Sequence, residues 1–297
     1  MKGIVIAGPT AVGKTSISLE VAQKLDADIV SSDSMQVYKY LDIGTAKISE
    51  KEMCGIKHHM IDIVEPIHKY SVGEYYRDTG KILSELSEKD RTIVLTGGTG
   101  LYINAVTDGI AILPESREDL RKELNSKSLE SLCLLLEEYD RESFEEIDLK
   151  NRRRVERAVE VYILSGKKMS DLKRNNIKNN NYNFKKYVLI RNREELYSRI
   201  DKRVDIMFEQ GLLNEALNIY QNFKEGIDEI AAIGYRELFM YFRKEISFNE
   251  SVELIKKNSR NYAKRQLTWF RNDKNYVWLD LDVISEKEAI EKIIREV

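Results

Sequence analysis

The opening segment of the chain has a hydrophobic pattern typical of a buried strand, followed by one typical of a helix. Residues 3–7 are continuously apolar, which predicts a buried strand, and apolar residues recur from Ile17 to Leu25 at the spacing of one helix face. Short apolar runs at 28–33 and 91–96 predict two further strands. Strands that alternate with helices in this way favour an α/β fold with a parallel sheet.

The middle of the chain has the periodicity of helices without intervening strands. Two apolar stripes predict packed helices there. The stripes comprise Leu129, Leu132, Leu136 and Tyr139, and then Val155, Ala158, Val159, Tyr162 and Ile163. A strand at 187–190 and a helix at 194–211 then resume the core. The sequence therefore predicts a core formed by 1–113 and 184–297, with C-terminal helices, and a helical insertion at 114–183.

A phosphate-binding loop follows the first strand. Residues 8–15 read GPTAVGKT and match G-x-x-x-x-G-K-[ST], with the strand before and the helix after that this motif requires. Glycines let successive backbone N–H groups face one centre, and the helix N-terminus adds partial positive charge. Lys14 supplies a full charge, and the Thr15 hydroxyl suits Mg²⁺. We therefore expect a P-loop NTPase-like core that binds a diphosphate or a polyphosphate.

Polar residues also follow the next two predicted strands. Asp33 ends the strand at 28–33, and Thr99 lies in the Gly-Gly-Thr turn after the strand at 91–96. Ligands of open parallel sheets bind at the carboxyl ends of the strands, so we expect Asp33, Thr99 and the loop at 8–15 to converge on one crevice. Asp33 could serve there as a base or as a Mg²⁺ ligand, or it could cap a helix that follows.

Charge is unevenly distributed, although the formal net charge is only −2. Residues 115–148 are strongly acidic, whereas 150–203 and 256–274 are strongly basic. Basic residues interleaved with aromatic ones are typical of surfaces that contact nucleic acid, although a solvated basic face has a similar composition. The residues that form this pattern are Arg152, Arg153, Arg154, Arg157, Arg260, Lys264, Arg265 and Arg271, with Tyr262, Trp269 and Phe270.

Composition excludes several classes of protein. With 297 residues, 42% of them hydrophobic, the chain can bury a proper core, and it has no apolar stretch long enough to span a membrane. Its N-terminal apolar run is too short for a signal peptide, so we expect a cytoplasmic protein. The two cysteines, Cys54 and Cys133, lack the spacing of a disulfide framework or a zinc site.

Seven blocks of the sequence resemble the tRNA dimethylallyltransferases, also called tRNA isopentenyltransferases. The blocks occur in the order typical of that family and span almost the whole chain. They are GPTAVGKT at 8–15, DSMQVY at 33–38, DIGTAK at 42–47, HHMID at 58–62, GGTGLY at 97–102, IGYR at 233–236 and AKRQLTWF at 263–270. The C-terminal zinc finger of eukaryotic members is absent, so the resemblance is to the bacterial type.

The resemblance implies transfer of a dimethylallyl group from dimethylallyl diphosphate to the exocyclic amine of the adenosine 3′-adjacent to the anticodon of tRNA. Asp33 is then the candidate general base, Thr99 would orient the reacting centre, and Thr15 would hold the Mg²⁺ cofactor. The residues implied for diphosphate are Gly8, Thr10, Ala11, Val12, Gly13, Lys14, Thr15, Arg121 and Arg203. Those implied for tRNA are Ser34, Met35 and Gln36 at the adenine edge, and Arg152, Arg153, Arg154, Arg157, Lys264 and Arg265 along the backbone.

Three other functions share parts of this pattern. An adenylate isopentenyltransferase has the loop and the aspartate but prenylates a free nucleotide, so it needs no tRNA clamp. A P-loop small-molecule kinase would turn over ATP. An RNA-binding switch without catalytic activity would keep its RNA binding after Asp33→Ala.

The insertion and the basic tracts favour tRNA over these alternatives. The expected partners are therefore the anticodon stem-loop of tRNA and dimethylallyl diphosphate, and we expect neither a membrane nor an obligate protein partner. A monomer is expected.

Overall fold

A computed structural model of the protein describes residues 2–174 and 182–296. By its internal contacts the chain falls into two units, one formed by Met1–Thr107 with Asn180–Val297 and the other by Asp108–Asn179. The second unit begins six residues before the predicted insertion at 114–183 and ends four residues before its end. Residues 175–181 of the predicted insertion lie outside the described part.

A parallel sheet organises the first unit. Its strands are β1 (Lys2–Ala7), β2 (Asp28–Ser31), β3 (His58–His59), β4 (Ile93–Gly97), β5 (Asn183–Ile190) and β6 (Tyr276–Asp280). Within the described residues they lie in the order β3-β2-β4-β1-β5-β6, and every neighbouring pair is parallel. The central strands are buried on both faces, which is why they are continuously apolar in sequence. The predicted α/β fold is thereby confirmed.

Thirteen helices accompany the sheet in the described part of the chain. In chain order they are α1 (Lys14–Lys24), α2 (Val72–Glu88), α3 (Gly100–Asp108), α4 (Glu118–Ser126), α5 (Leu129–Tyr139), α6 (Arg141–Glu146), α7 (Arg152–Ser165), α8 (Met169–Arg174), α9 (Arg193–Glu209), α10 (Leu212–Asn222), α11 (Tyr235–Phe242), α12 (Phe248–Arg271) and α13 (Glu286–Arg295). No described helix is both long enough and apolar enough to cross a lipid bilayer.

Successive side chains of β1 point to opposite faces of the sheet, and each face has its own part of the hydrophobic core. Ile4 and Ile6 pack with α1 and α13, whereas Val5 packs on the opposite face with α2 and α3. A third cluster lies among α9, α10, α11 and α12 and includes Val204 and Tyr235. This third cluster supports the loops that follow β2.

The second unit has its own core, formed by α4, α5 and α7. Most members of the two predicted apolar stripes are buried in it: Leu132, Leu136, Val155, Ala158 and Val159. Tyr139 is partly buried and stacks on Tyr162, with 4.5 Å between ring centroids. Ile163 is 45% exposed, so the expectation that it belongs to the apolar stripe is wrong. Position 163 lies at the edge of the stripe formed by Val155, Ala158 and Val159, near the end of α7 at Ser165.

Candidate functional site

The loop between β1 and α1 is shaped by residues with positive φ. Gly8 has φ +153°, Ala11 +63° and Gly13 +115°. A Cβ at Gly8 would lie 2.8 Å from the carbonyl oxygen of Leu189, so the contact as well as the φ angle excludes a side chain there. Gly13 leads into α1 without a side-chain cap, which leaves the first N–H groups of the helix available. The loop is therefore a backbone cradle suited to an anion.

The Lys14 side chain lies across this loop. Its Nζ donates hydrogen bonds to the carbonyl oxygens of Gly8, at 3.0 Å, and Pro9, at 2.8 Å. Burial and, to a lesser extent, the positive charge of Arg203 lower the pKa of Lys14 to about 7, although Asp33 opposes both effects. Lys14, Arg203 and Asp33 are thus close enough to interact, and the site carries more positive than negative charge.

Arg203 reaches this site from α9. Its guanidinium donates to the carbonyl oxygen of Thr45 at 3.4 Å. Burial lowers the pKa of Arg203, and the carboxylate of Asp33 partly offsets this effect. Among the described residues, Asp33 is the one carboxylate that influences both Lys14 and Arg203. A second negative charge nearby would therefore stabilise the charged form of the Arg203 guanidinium. An incoming diphosphate would provide that charge.

Asp33 follows β2 and forms a turn instead of capping a helix. Its Oδ1 accepts a hydrogen bond from the Met35 N–H at 2.9 Å. Residues 34–37 form turns, so the alternative of a helix cap is excluded. Among the described residues, none hydrogen-bonds to Oδ2 of Asp33, which leaves that oxygen available to a ligand.

Thr99 ties the ends of β2 and β4 together. Its backbone N–H donates to the Ser32 carbonyl at 3.0 Å, and its Oγ1 accepts from the Ser34 N–H at 3.0 Å. The register of β2 on β4 places these strand ends side by side. The convergence of the P-loop, Asp33 and Thr99 that was expected from the sequence is therefore present.

A cavity of about 220 Å³ opens beside these residues. Its polar lining residues include Thr10, Asp33, Ser34, Thr45, Arg203 and Arg265. Its apolar lining residues include Ile200, Val204, Met207, Ile233 and Ile255, from α9, α12 and the loop before α11. The cavity therefore combines charged groups suited to phosphate with apolar surface suited to a short hydrocarbon.

The three residues predicted to read the adenine differ in their surroundings. Ser34 and Met35 line the cavity. Gln36 does not line it, because its Oε1 accepts from the Ser31 hydroxyl at 3.1 Å and its Nε2 lies 3.5 Å from the carbonyl of Thr45. Gln36 thus has partners within the protein that brace the loop after β2.

An unexpected cluster holds the loop at 42–44. The Glu215 carboxylate accepts hydrogen bonds from the backbone N–H groups of Asp42, Ile43 and Gly44, at 2.9–3.2 Å, and from the Tyr235 hydroxyl at 2.6 Å. Burial and the Glu215 carboxylate raise the pKa of Tyr235, so its hydroxyl stays protonated as a donor. From the sequence, only Tyr235 of this cluster could have been identified, because it lies in the IGYR block. Glu215 cannot be distinguished by sequence from an ordinary acidic residue on a helix surface.

The basic residues of the second unit have unequal roles within it. The Arg152 guanidinium donates to the carbonyls of Leu124, Asn125 and Lys127, at the end of α4, and pairs with Glu156 at 2.6 Å. Arg152 thus has a structural role in joining α4 to α7. Arg153 and Arg154 are exposed, as a contact with tRNA requires.

Arg121 and Arg157 share one buried carboxylate. Glu160 is 1% exposed and pairs with Arg157 at 2.6 Å and with Arg121 at 3.3 Å. Ser116 also bonds to both guanidinium groups, at 2.7 Å to Arg121 and 3.0 Å to Arg157. Two guanidinium groups on one carboxylate leave a net positive charge, and Arg121 remains 52% exposed. Arg121 can therefore still meet an anion.

The basic tract on α12 borders the cavity. Lys264 and Arg265 are exposed, and the Arg265 guanidinium lies over the Tyr262 ring, 5.6 Å from its centroid. Tyr262 lines the cavity, and Gln266 joins the P-loop to the turn before Thr99. The sequence predicted Tyr262 only as part of a basic and aromatic surface for nucleic acid, and it did not predict Gln266 as a site residue, although the AKRQLTWF block contains Gln266.

The residues at this site fit a magnesium ion that is shared with a ligand. In the described part of the chain no three His, Cys, Asp or Glu side chains form a metal site by themselves. Mg²⁺ commonly binds through one or two protein groups together with substrate phosphates. The exposed Thr15 hydroxyl, at the start of α1, and the Asp33 carboxylate are oxygen donors of that kind.

Comparison with known proteins yields one consistent family. A family model described as IPP transferase matches residues 36–273. A tRNA dimethylallyltransferase of Fusobacterium nucleatum is 54% identical, over 98% of this chain and 96% of the relative. The crystal structure of a tRNA isopentenylpyrophosphate transferase from Bacillus halodurans aligns with TM-score 0.75 and 40% identity, covering 99% of this chain and 95% of that one. A eukaryotic dimethylallyltransferase acting on tRNA aligns with TM-score 0.84 and 26% identity, covering 97% and 77%.

Proposed function

We propose, because this chain belongs to the IPP transferase family, that it transfers a dimethylallyl group from dimethylallyl diphosphate to tRNA. The acceptor is the exocyclic amine of the adenosine 3′-adjacent to the anticodon, and diphosphate is released. The observation that carries this proposal is a partly apolar cavity lined by Asp33 and Arg203, both of which lie close enough to Lys14 of the P-loop to influence its charge. A tRNA substrate places the reaction in the cytoplasm.

Diphosphate binding is the first task of the site. The P-loop N–H groups, Lys14 and Arg203 surround the place of the leaving group and stabilise the charge that develops on it as the C1–O bond breaks. An allylic carbon readily bears positive charge, so stabilisation of the leaving group contributes most of the catalysis. We assign Thr10, Gly13, Lys14, Thr15 and Arg203 to this role.

The apolar wall accommodates the five-carbon chain. Ile200, Val204, Met207 and Ile255 offer aliphatic surface in the cavity that Asp33 and Arg203 also line. An allylic cation in such surroundings is shielded from water, which would otherwise capture it. A compact apolar wall therefore favours transfer to the amine over hydrolysis.

Asp33 acts as the general base. The adenine amine is a weak nucleophile because its lone pair is delocalised into the ring, so it must lose a proton as the C1–N bond forms. The Oδ2 atom of Asp33 receives that proton, while the bond from Met35 N–H holds Oδ1 in place. Thr99 orients the reacting centre from the adjoining turn.

The Thr15 hydroxyl is the side-chain group that would hold Mg²⁺. When bound, the ion would neutralise diphosphate charge.

The contacts with the tRNA backbone are assigned to five basic residues: Arg153, Arg154, Arg157, Lys264 and Arg265. A base in an anticodon loop loses little pairing on leaving its stack, so it can enter the cavity at modest cost.

Transfer of radiolabel from dimethylallyl diphosphate into unmodified tRNA, with Mg²⁺, tests the proposal. Wild type should label tRNA and not free AMP. Asp33→Asn should lower the transfer rate by about 10²- to 10⁴-fold, because the amide cannot accept the proton. Asp26→Asn is the matched control, since Asp26 is exposed and pairs with Arg91. That control should transfer at the wild-type rate.

Each other outcome selects a different function. Label in AMP would indicate an adenylate isopentenyltransferase. No transfer, accompanied by ATP turnover, would indicate a kinase. RNA binding that survives Asp33→Asn, in a protein that transfers no label, would indicate a switch without catalytic activity.

A further inference from the structure

Gln266 occupies a buried position between two loops of the site. It lies on α12 and is 5% exposed. Its Oε1 accepts a hydrogen bond from the backbone N–H of Thr10 at 2.9 Å, and its Nε2 donates to the carbonyl oxygen of Gly98 at 3.0 Å. One amide group thus bridges the P-loop and the turn after β4.

The backbone of this turn leaves room for the amide and for nothing more. A Cβ at Gly98 would lie 2.0 Å from Nε2 of Gln266. At Gly97 a Cβ would lie 2.2 Å from the carbonyl oxygen of Ser32, which belongs to the segment that leads to Asp33. Both glycines before Thr99 are therefore explained by close packing. The turn is held tightly against the P-loop on one side and against the Asp33 loop on the other.

The amide satisfies one backbone group in each of the two loops. An apolar residue of the same volume would leave the Thr10 N–H and the Gly98 carbonyl oxygen without these hydrogen bonds, at a cost in free energy. Both ends of Gln266 are bonded, and each partner is a backbone group in a loop that carries proposed site residues. The amide therefore sets the separation of two functional loops.

Tyr262 lies one helical turn before Gln266 and faces the same place. It lines the cavity with Thr10 and Asp33. Its hydroxyl interacts with the side chains of Thr99 and Gln266, and it is close enough to Asp33 for the two groups to influence each other. One face of α12 therefore contacts the P-loop, the Thr99 turn and the cavity together.

We propose that Gln266 is a positioning residue for the transfer reaction: it fixes the P-loop, which holds the leaving group, against the Gly98–Thr99 turn, which orients the acceptor. The inference rests on the proposed function, because it assigns these two loops to the two substrates. Gln266 itself bonds to backbone groups and acts on the reaction through them.

Loss of this bridge should affect the rate of transfer more than the affinity for either substrate. Each loop keeps its own internal geometry, so each substrate still finds its contacts. Their relative placement relaxes, and a misplacement of about 1 Å can cost about 100-fold in rate. We expect the single-turnover rate of Gln266→Met to fall about 10- to 100-fold, with the affinity for inorganic diphosphate within about threefold of wild type.

The test uses the 297-residue chain, saturating labelled dimethylallyl diphosphate and unmodified tRNA, with single-turnover rates measured by rapid quench. Gln266→Met removes both hydrogen bonds at nearly constant volume. Gln221→Met is the matched control, because Gln221 is exposed on α10 and does not line the cavity. Inorganic diphosphate affinity is measured by calorimetry on each variant, and the unfolding temperature checks folding.

A second variant keeps the test decisive even if Gln266→Met fails to fold. In Gln266→Glu an ionised carboxylate faces the Gly98 carbonyl oxygen and repels it, whereas the protonated carboxyl can donate to that oxygen and accept from Thr10 N–H. Burial and this repulsion favour the protonated form. The ratio of the variant rate to the wild-type rate should therefore rise several-fold as the pH falls from 8 to 6.

Three results would overturn the inference. The first is a wild-type single-turnover rate in Gln266→Met. The second is a loss of diphosphate affinity in parallel with the loss of rate, which would mean that the P-loop itself had collapsed. The third is a Gln266→Glu rate ratio that does not change with pH. Failure of wild type to label tRNA would instead refute the proposed function, and the two failures are thereby distinguished.

Discussion

Binding of a prenyl diphosphate should draw a proton onto Lys14. In the free protein, burial and the nearby Arg203 lower the pKa of this lysine from 10.5 to about 7. A bound diphosphate brings negative charge next to Nζ and returns the pKa toward its ordinary value. A fraction of the molecules must therefore take up a proton on binding.

The size of this uptake follows from the pKa in the free protein. With a pKa of about 7, Lys14 is unprotonated in about half of the molecules at pH 7, in about nine-tenths at pH 8 and in about one-tenth at pH 6. Binding should accordingly take up about 0.5, 0.9 and 0.1 proton at these pH values. Because the protonated form binds the anion, affinity should weaken as the pH rises, by about fivefold from pH 7 to pH 8.

Calorimetry at pH 8, in two buffers with different ionisation enthalpies, measures this uptake directly. The ligand is the thiodiphosphate analogue of dimethylallyl diphosphate at a constant Mg²⁺ concentration. Lys14→Arg retains the charge at every pH used and should show almost no uptake. Lys24→Arg, at an exposed position of the same helix paired with Glu20, is the matched control and should behave as wild type. Binding without proton uptake in the wild-type protein at pH 8, or equal uptake in Lys14→Arg, would refute the reasoning.

Further predictions concern the second unit and the loop after β2. Arg152→Ala should lower the free energy of unfolding by about 1–3 kcal/mol in urea titrations, because three carbonyls of α4 lose their partner, while tRNA affinity changes little. Arg154→Ala should leave stability unchanged within about 0.5 kcal/mol but weaken tRNA binding and reduce the salt dependence of log Kd by about one unit; the opposite pattern in the two variants would contradict their assignment. Glu215→Gln should weaken binding of the thiodiphosphate analogue. One amide oxygen cannot replace two carboxylate oxygens as acceptor for the three backbone N–H groups at 42–44 and the Tyr235 hydroxyl, so the loop loosens and Thr45 holds Arg203 less firmly. Unchanged affinity would argue against this coupling.

The sequence alone determined those features that depend on neighbouring residues. The P-loop is eight consecutive residues between a strand and a helix, so its motif and its anion-binding chemistry can be read directly. The parallel sheet followed from apolar runs separated by helical periodicity, and the carboxyl-end rule then brought Asp33 and Thr99 to one crevice. Ile163 is the exception, because periodicity identifies a helix face but does not show how far the burial of that face extends.

Only the tertiary structure decided the features that depend on residues distant in the chain. Gln266 meets Thr10 across 256 positions, and Glu215 meets Ile43 across 172, so no local pattern marks either pair. The pKa of Lys14 depends on burial and on Arg203, neither of which its own segment reveals. Arg152 has the same chemistry as its arginine neighbours, and only the packing of α4 against α7 gives it a different role. Local sequence specifies which groups can do chemistry, whereas their partners, and hence their charge and position, are set by how the chain packs.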